Sequence, residues 1–389
     1  MSTEYKKLGQ YIRTVDIRNT DLVSMNLLGV SVKKQFIPSI ANTVGTDFKK
    51  YKVVKKGQFT YIPDTSRRGD KIGIALLENY EIGIVSNIYI VFEIIDNNQL
   101  MPEYLMLWFS RPEFDRYARF KSHGSVREIF DWDEMCNVEL PVPDIEKQRK
   151  IVKAYQTITD RIALKQKIND NLEAMAQAIF QEQFASFYEA DELPNGYSFV
   201  NLDNLCTVKG GKRLPVDCKL LDTPTEHPYI RVRDIGNNRY VCRTNRFQYI
   251  DEETHSAISR YIVNAGDIVI SIVGTIGLLG KVHSSLDKAN LTENCVKLAN
   301  IHTVTSDYLY YTLCYKKQIK EIELLTVGAV QAKLPMYNIQ SMKILVPPPK
   351  VVEIFQSKTD IFNKQIEANT VEIQKLYQLK EVLLKKLSH

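Results

Sequence analysis

Val138-Glu139-Leu140-Pro141-Val142-Pro143, followed by Gln148-Arg149-Lys150-Ile151-Val152 at the mouth of a helix, is the stretch that organises this chain. A Gly-rich loop, Gly124-Ser125-Val126-Arg127, leads into it. Roughly two hundred residues later the same order returns. Gly328-Ala329-Val330-Gln331-Ala332-Lys333 precedes Ile344-Leu345-Val346-Pro347-Pro348-Pro349, and a helix opens near Val351. A repeat at this distance predicts a tandem pair of units, each a globular part followed by a helical arm.

The arms carry the clearest periodicity. In the second, Val352, Phe355, Thr359, Phe362, Ile366, Asn369, Ile373, Leu376, Lys380, Leu383 and Leu387 alternate steps of three and four, which makes a coiled-coil seam. In the first, Ile151, Tyr155, Ile158, Ile162, Lys165, Asn169, Leu172, Ala176 and Ile179 do the same, with Ile168 and Met175 widening the stripe. Helices of roughly 35–40 residues, roughly 50–60 Å at 1.5 Å per residue, cannot bury such a stripe alone, so each is expected to pack on the other. Asn169 and Asn369 both fall on the seam, where a buried Asn costs stability and sets register; placement by chance is the alternative for either one.

The globular parts read as mixed helix and strand. Tyr51 to Pro63, Lys71 to Ala75 and Gly83 to Phe92 are rich in β-branched and aromatic residues and bounded by Gly, Pro and Asn, so they are expected to be strands. Met101 to Phe109 reads as a helix with Pro in its first turn. The second part repeats this order with little residue identity: Asn264 to Ser271 stands for Lys55 to Tyr61, and Ser306 to Tyr311 for Pro102 to Leu105. The framework repeats while the loops differ, which suits two domains of one plan that read different things.

At 389 residues, two or three domains are expected. No apolar run reaches membrane-spanning length and the first residues lack the apolar core of a signal peptide, so the expected location is cytoplasmic. The six cysteines contain no Cys-x-x-Cys pair and no His at ligand spacing, so neither zinc nor a disulfide framework is indicated. Net charge is +5, yet residues 1–144 hold 19 Lys and Arg against 19 Asp and Glu, which argues against a coating protein held by phosphate electrostatics alone. Local basic clusters are left.

Catalytic signatures are missing. There is no Asn-Pro-Pro-Tyr or Pro-Cys motif for methyl transfer to a base and no Gly-rich phosphate loop ending in Gly-Lys-Ser/Thr. Gly274-Thr275-Ile276-Gly277 reads as a tight turn, and Asp251-Glu252-Glu253 as a solvated helix start. No cofactor, no metal and no catalytic residue is expected, and a binding protein is the better reading.

Over essentially its full length the chain resembles the specificity (S) subunit of type I restriction-modification systems. The resemblance rests on Val53 to Phe59, the run from Gly124 to Pro143, and Glu146 to Ile151 in the first unit. In the second it rests on Leu193 to Tyr197, Lys209-Gly210-Gly211, Tyr229 to Ile235, Gly266 to Val269 and the stretch from Gly328 to Pro349. It implies an α/β (α+β) chain of two similar target-recognition domains, residues 1–144 and 191–349, joined by two long helical spacers, 145–190 and 350–389, packed as an antiparallel coiled coil. Each domain would read one half of a bipartite asymmetric site on double-stranded DNA. The spacers would dock two methyltransferase (M) subunits that methylate adenine, and the complex would recruit ATP-driven restriction (R) subunits, the S subunit itself doing no chemistry. One departure is visible: the Glu-Gln pair expected after Pro349 is replaced by Val351-Val352-Glu353-Ile354-Phe355-Gln356, which leaves the second arm's start and its partner contact in doubt.

Base reading needs Arg or Lys on guanine and Asn or Gln on adenine, whereas phosphate contacts need only charge and backbone N–H. Candidate DNA-binding residues in the first unit are Arg67, Arg68 and Lys71, with Ser125 and Arg127. In the second they are Lys209, Lys212 and Arg213 beside Gly210 and Gly211, then Arg231 and Arg233, then Arg243 within the basic run from Arg239 to Arg246, and finally Gln331 and Lys333. Gly beside Lys or Arg lets the backbone approach a phosphate. For any single residue the alternative is a solvated surface loop or a salt bridge. For the whole chain the alternatives are a coiled-coil scaffold whose two heads bind proteins, and, behind that, an enzyme with an unrecognised site.

Overall fold

Gly57 and Gly266 build the same turn in two different sheets. The computed structural model describes residues 5–23, 26–39, 45–65, 71–123, 128–236, 238–244, 247–328 and 331–387. Both glycines take positive φ, 84° and 87°, a conformation that a Cβ would strain. The next residue closes the turn in each case: Gln58 Oε1 accepts from the Lys55 amide at 2.8 Å, and Asp267 Oδ2 from the Asn264 amide at 2.9 Å. A fully buried strand follows, Phe59–Tyr61 in one and Ile268–Ser271 in the other. The expected correspondence of these two segments is therefore present in the backbone.

The chain forms two compact units, one of residues 1–160 and 379–389, the other of residues 161–378. In the first, an antiparallel sheet runs in the order Ile12–Val15, Ile90–Ile94, Phe59–Tyr61, Ile74–Leu76. In the second, the order Thr207–Gly210, Cys295–Ala299, Ile268–Ser271, Leu279–Val282 repeats it, and Tyr240–Val241 adds a parallel fifth strand. A further sheet of Tyr249–Ile250, His227–Ile230 and Asn290–Leu291 belongs to the second unit. The runs Tyr51 to Pro63 and Gly83 to Phe92 each divide into two strands at a turn, and in the third run the strand is confined to Ile74–Leu76.

Helices close each sheet. Pro102–Phe109 has Pro in its first turn, and its Tyr104 hydroxyl donates to the Pro141 carbonyl at 3.0 Å. Ser306–Leu313 takes the same place in the second unit, where the Tyr308 hydroxyl donates to Leu345 at 2.8 Å. Glu252–Ile258 begins where Asp251 accepts from the Thr254 amide at 2.7 Å, the helix start read from its three acidic residues.

The two long helices are Ile145–Phe184 and Pro349–Lys386. Within the second unit they pair through Arg161 with Glu372 at 2.5 Å, Lys165 Nζ with Asn369 Oδ1 at 2.9 Å, and Phe180 with Phe355 at 5.9 Å between ring centroids. Partner numbers fall as residue numbers rise, so the helices are antiparallel. Within the first unit Lys380 Nζ sits 4.5 Å over the Tyr155 ring, and Val152 and Leu387 join the core. Ile162, Asn169, Ala176, Val352, Phe355, Thr359, Ile366, Asn369 and Ile373 are buried on the expected seam. Leu387 aside, the other seam residues are partly buried, except Met175, which is half exposed because it lies too far round the helix from Ala176. Phe180 and Phe184, off the expected seam, are fully buried in the second unit's core with Tyr308 and Phe355. A straight helix drifts from a 3.5-residue repeat, and here the drift carries two rings into the globular part.

Candidate nucleic-acid interface

Gly211 brings the basic loop of the second unit onto its sheets. A Cβ there would lie 2.0 Å from the Thr292 carbonyl oxygen and 2.4 Å from that of Leu291, so only glycine permits the approach. The Gly211 amide donates to Cys295 at 2.9 Å and the Lys212 amide to Leu291 at 2.8 Å. Neighbouring backbone bonds extend the rim: Thr292 N to Ile230 O at 3.0 Å, Ile272 N to Asn294 O at 2.8 Å and Leu334 N to Ile272 O at 2.9 Å. Lys333 pairs with both Val327 and Val273 as isolated bridges. The loop at Lys212-Arg213, the turn after Ser271 and the hairpin carrying Gln331 and Lys333 thus gather at one end of the central strand. The turn is the one read from Gly274 and Gly277, which both have positive φ, and Ser271 Oγ donates to Thr275 O within it at 2.6 Å.

The side chains on this rim have distinct partners. Lys212 lies 5.6 Å over the Tyr261 ring, while the Tyr229 hydroxyl donates to its carbonyl at 2.8 Å. Arg213 is 81% exposed and donates through Nε to Glu293 at 2.8 Å. Gln331 and Lys333 are exposed. Lys209 is exposed on its strand opposite Lys297. Burial holds the Lys297 ammonium below its ordinary pKa; Asp267 opposes that and Lys209 adds to it. Among the described residues no group of three His, Cys, Asp or Glu is arranged to hold a metal, and no helix is long and apolar enough to cross a membrane.

The model for the type I restriction modification DNA specificity domain matches residues 4–174 and again residues 194–382. The chain belongs to this family. It is 22% identical to the type I restriction enzyme HindI specificity subunit of Haemophilus influenzae, over 86% of either chain. It is 24% identical to the MjaIX specificity subunit of Methanocaldococcus jannaschii, over 76% of this chain and 70% of that one. In fold it is similar to the crystal structure of the type I restriction-modification S subunit from M. genitalium, with a TM-score of 0.51 and 14% identity, covering 99% of this chain and 96% of that one. The family supplies DNA-sequence specificity within a restriction-modification system.

Seen as a specificity domain, the second unit sorts its basic residues. Arg231 is nearly buried and spends its guanidinium on Asp234 at 2.9 Å and on Gln248, while its own amide donates to Asp234. Arg233 is exposed and touches the same Gln248 at 3.2 Å. Arg243 is exposed, 5.8 Å over Tyr249. Arg239 is the residue the basic run misplaced, for its side chain is fully buried. It pairs with Asp307 and lies 3.5 Å from Glu173, with the rings of Tyr310 and Tyr311 at 4.6 and 4.5 Å. Lys281 and Gln356 also meet Asp307, at 2.5 and 3.0 Å. Burial would raise the Asp307 carboxyl, but Arg239 and Lys281 hold it at about 2. Arg239 therefore ties the domain to the first long helix and, through Asp307 and Gln356, to the second, with no part of its side chain exposed.

In the first specificity domain, Arg67, Arg68, Ser125 and Arg127 lie outside the described residues. Lys71 is exposed, next to Ile72, whose amide donates to Asp115 at 3.2 Å. Asp115 in turn holds the nearly buried Lys34 at 2.8 Å, a pair that nothing in the local sequence announces. Isolated bridges of Ile129 with His123 and with Asp64 repeat those of Lys333 with Val327 and Val273. The pairing of the residues that flank the Gly-rich segment is thus the same in both domains.

Proposed function

We propose that this chain is the non-catalytic targeting subunit of a type I restriction-modification complex and that each unit reads one half of a bipartite, asymmetric site on double-stranded DNA. Two methyltransferase subunits would modify adenines at that site, and restriction subunits would cut DNA in an ATP-dependent step. The observation that carries the reading is the repeated frame with different rims. Gly57 and Gly266 turn alike and Tyr104 and Tyr308 tie alike, yet Ile129 stands where Lys333 stands. A common scaffold with unlike side chains at the same edge suits recognition of two unlike half-sites. The absence of a catalytic motif in the sequence supports a role that leaves chemistry to partners.

The test is genomic. Single-molecule sequencing for methyladenine, in cells with and without this gene, should reveal one bipartite motif that disappears with the gene. Retention of every methylation motif after deletion would overturn the proposal. Binding of the purified chain with its methyltransferase partners to that motif should also weaken steeply with salt.

A further inference from the structure

Among the exposed arginines of the second unit that the structure describes, Arg213 alone is engaged at Nε and otherwise open. Glu293 Oε1 accepts from that Nε at 2.8 Å, and the other Glu293 oxygen accepts from Thr292 Oγ1 at 3.0 Å. Thr292 is fixed in turn through its amide to Ile230, and the loop behind Arg213 is clamped by Gly211. A carboxylate on Nε leaves the two terminal nitrogens as a parallel pair of donors, and among the described residues neither has a partner. Arg233 differs because a terminal nitrogen is already given to Gln248.

Resting on the proposed reading of this unit, we infer that Arg213, positioned by Glu293, is a guanine reader that places its terminal nitrogens on O6 and N7 in the major groove. Two physical reasons favour a base over a phosphate. The fork matches the two acceptors of guanine, the commonest bidentate contact to DNA. The Glu293 carboxylate also neutralises the guanidinium locally and repels a phosphate, while a neutral base edge is not repelled. Lys212, held over Tyr261 with no anionic partner among the described residues, is the better phosphate partner on the same loop.

The experiment uses the full chain assembled with its methyltransferase subunits and a duplex bearing the methylation motif mapped for the wild type. Each guanine is replaced in turn by 7-deazaguanine, which lacks the N7 acceptor. One guanine, in one half-site, should become about tenfold or more weaker with the wild type. Arg213→Ala should be indifferent to that replacement and should relax methylation at that position alone. Arg213→Lys keeps the charge and should still lose the discrimination, and Glu293→Gln should weaken it. Wild type and Arg213→Ala responding alike at every guanine would overturn the inference, as would a wild type indifferent to all replacements. Uniform weakening on every sequence, rescued by Arg213→Lys, would assign a phosphate contact and overturn it too. Should Arg213→Ala lose its thermal transition, Arg213→Lys and Glu293→Gln carry the same comparison. A wild-type complex with no motif at all would instead remove the proposed function itself.

Discussion

Asn369 Nδ2 donates to Asn169 Oδ1 at 2.8 Å, with both residues buried between the long helices. Lys165 Nζ donates to Asn369 Oδ1 at 2.9 Å. Two polar side chains facing each other in an apolar seam satisfy one another only in this register, since a shift would leave the Asn369 amide and the Asn169 oxygen without each other.

Replacing one Asn should therefore hurt more than replacing both. Asn169→Leu leaves the Asn369 amide without its acceptor and should cost about 1–3 kcal/mol. The double replacement Asn169→Leu with Asn369→Leu should lose much less than the sum of the singles. Denaturant unfolding of the three variants measures the coupling, and simple additivity would show that the pair does not act as a unit.

Asp307 gives the second unit an acid-sensitive tie. Its folded carboxyl sits at about 2 against an ordinary value of 3.8, held there by Arg239 and Lys281 against the effect of burial. A depressed carboxyl stabilises the fold above its unfolded pKa, and the contribution fades as pH falls from about 4 through about 2. The stability difference between wild type and Asp307→Asn should accordingly include about 2 kcal/mol at pH 7 that shrinks towards pH 2. Urea unfolding across pH 2–7 checks the sign; a difference that grows in acid would contradict it. Glu173 moves the other way, since burial raises it and Arg239, 3.5 Å away, only partly offsets this.

Arg239 also shows where local sequence stops informing. Its neighbours Arg243 and Arg246 make it look like part of a basic surface run, and only the distant Glu173 and Asp307 reveal that it is buried and paired. The long helices were legible because their periodicity is local and repeated, and so was the correspondence of Lys55–Tyr61 with Asn264–Ser271, but Tyr51 to Pro63 reads as one strand and the turn at Gly57 divides it. The rim was half legible: the Gly-Lys-Arg loop is visible in sequence, but the Glu293 that holds Arg213 lies eighty positions away. The departure after Pro349 has a physical reading. In the first long helix Gln148 is buried and holds the Met101 amide at 2.9 Å, with Val152 one turn on in the core. In the second the order is reversed: Val352 is in the core, and Gln356, one turn on, accepts from Thr305 at 2.8 Å. Thr305 caps the helix Ser306–Leu313, as Met101 precedes Pro102–Phe109. The tie between arm and domain is kept with its two residues exchanged.

Gly211 and its neighbour make a controlled pair. Gly211→Ala must push the loop away from the Thr292 carbonyl, whereas a Cβ on Gly210 meets open space. DNA binding should fall sharply in Gly211→Ala, with discrimination lost in one half-site, and stay near wild type in Gly210→Ala. Competition binding on duplexes altered in one half-site at a time reads this out. Equal behaviour of the two variants would mean that the loop's approach to the sheet does not govern recognition.

The proposal that each unit reads its own half-site makes a prediction about the gap between them. Seven extra residues in both long helices, at the facing levels of Arg161 and Glu372, keep the seam in phase and lengthen each helix by about 10 Å. That length is about three base pairs of duplex at ~3.4 Å each. The two half-sites should remain the same while the unread gap between them grows. Inserting into one helix only would break the pairing of Arg161 with Glu372 and of Lys165 with Asn369, so the matched insertion is the informative one. Circular dichroism must show that helix content survives, and methyladenine mapping then gives the motif. A motif with an unchanged gap in a folded variant would mean that the helices do not set the spacing of the site, and that part of the proposed function would fall.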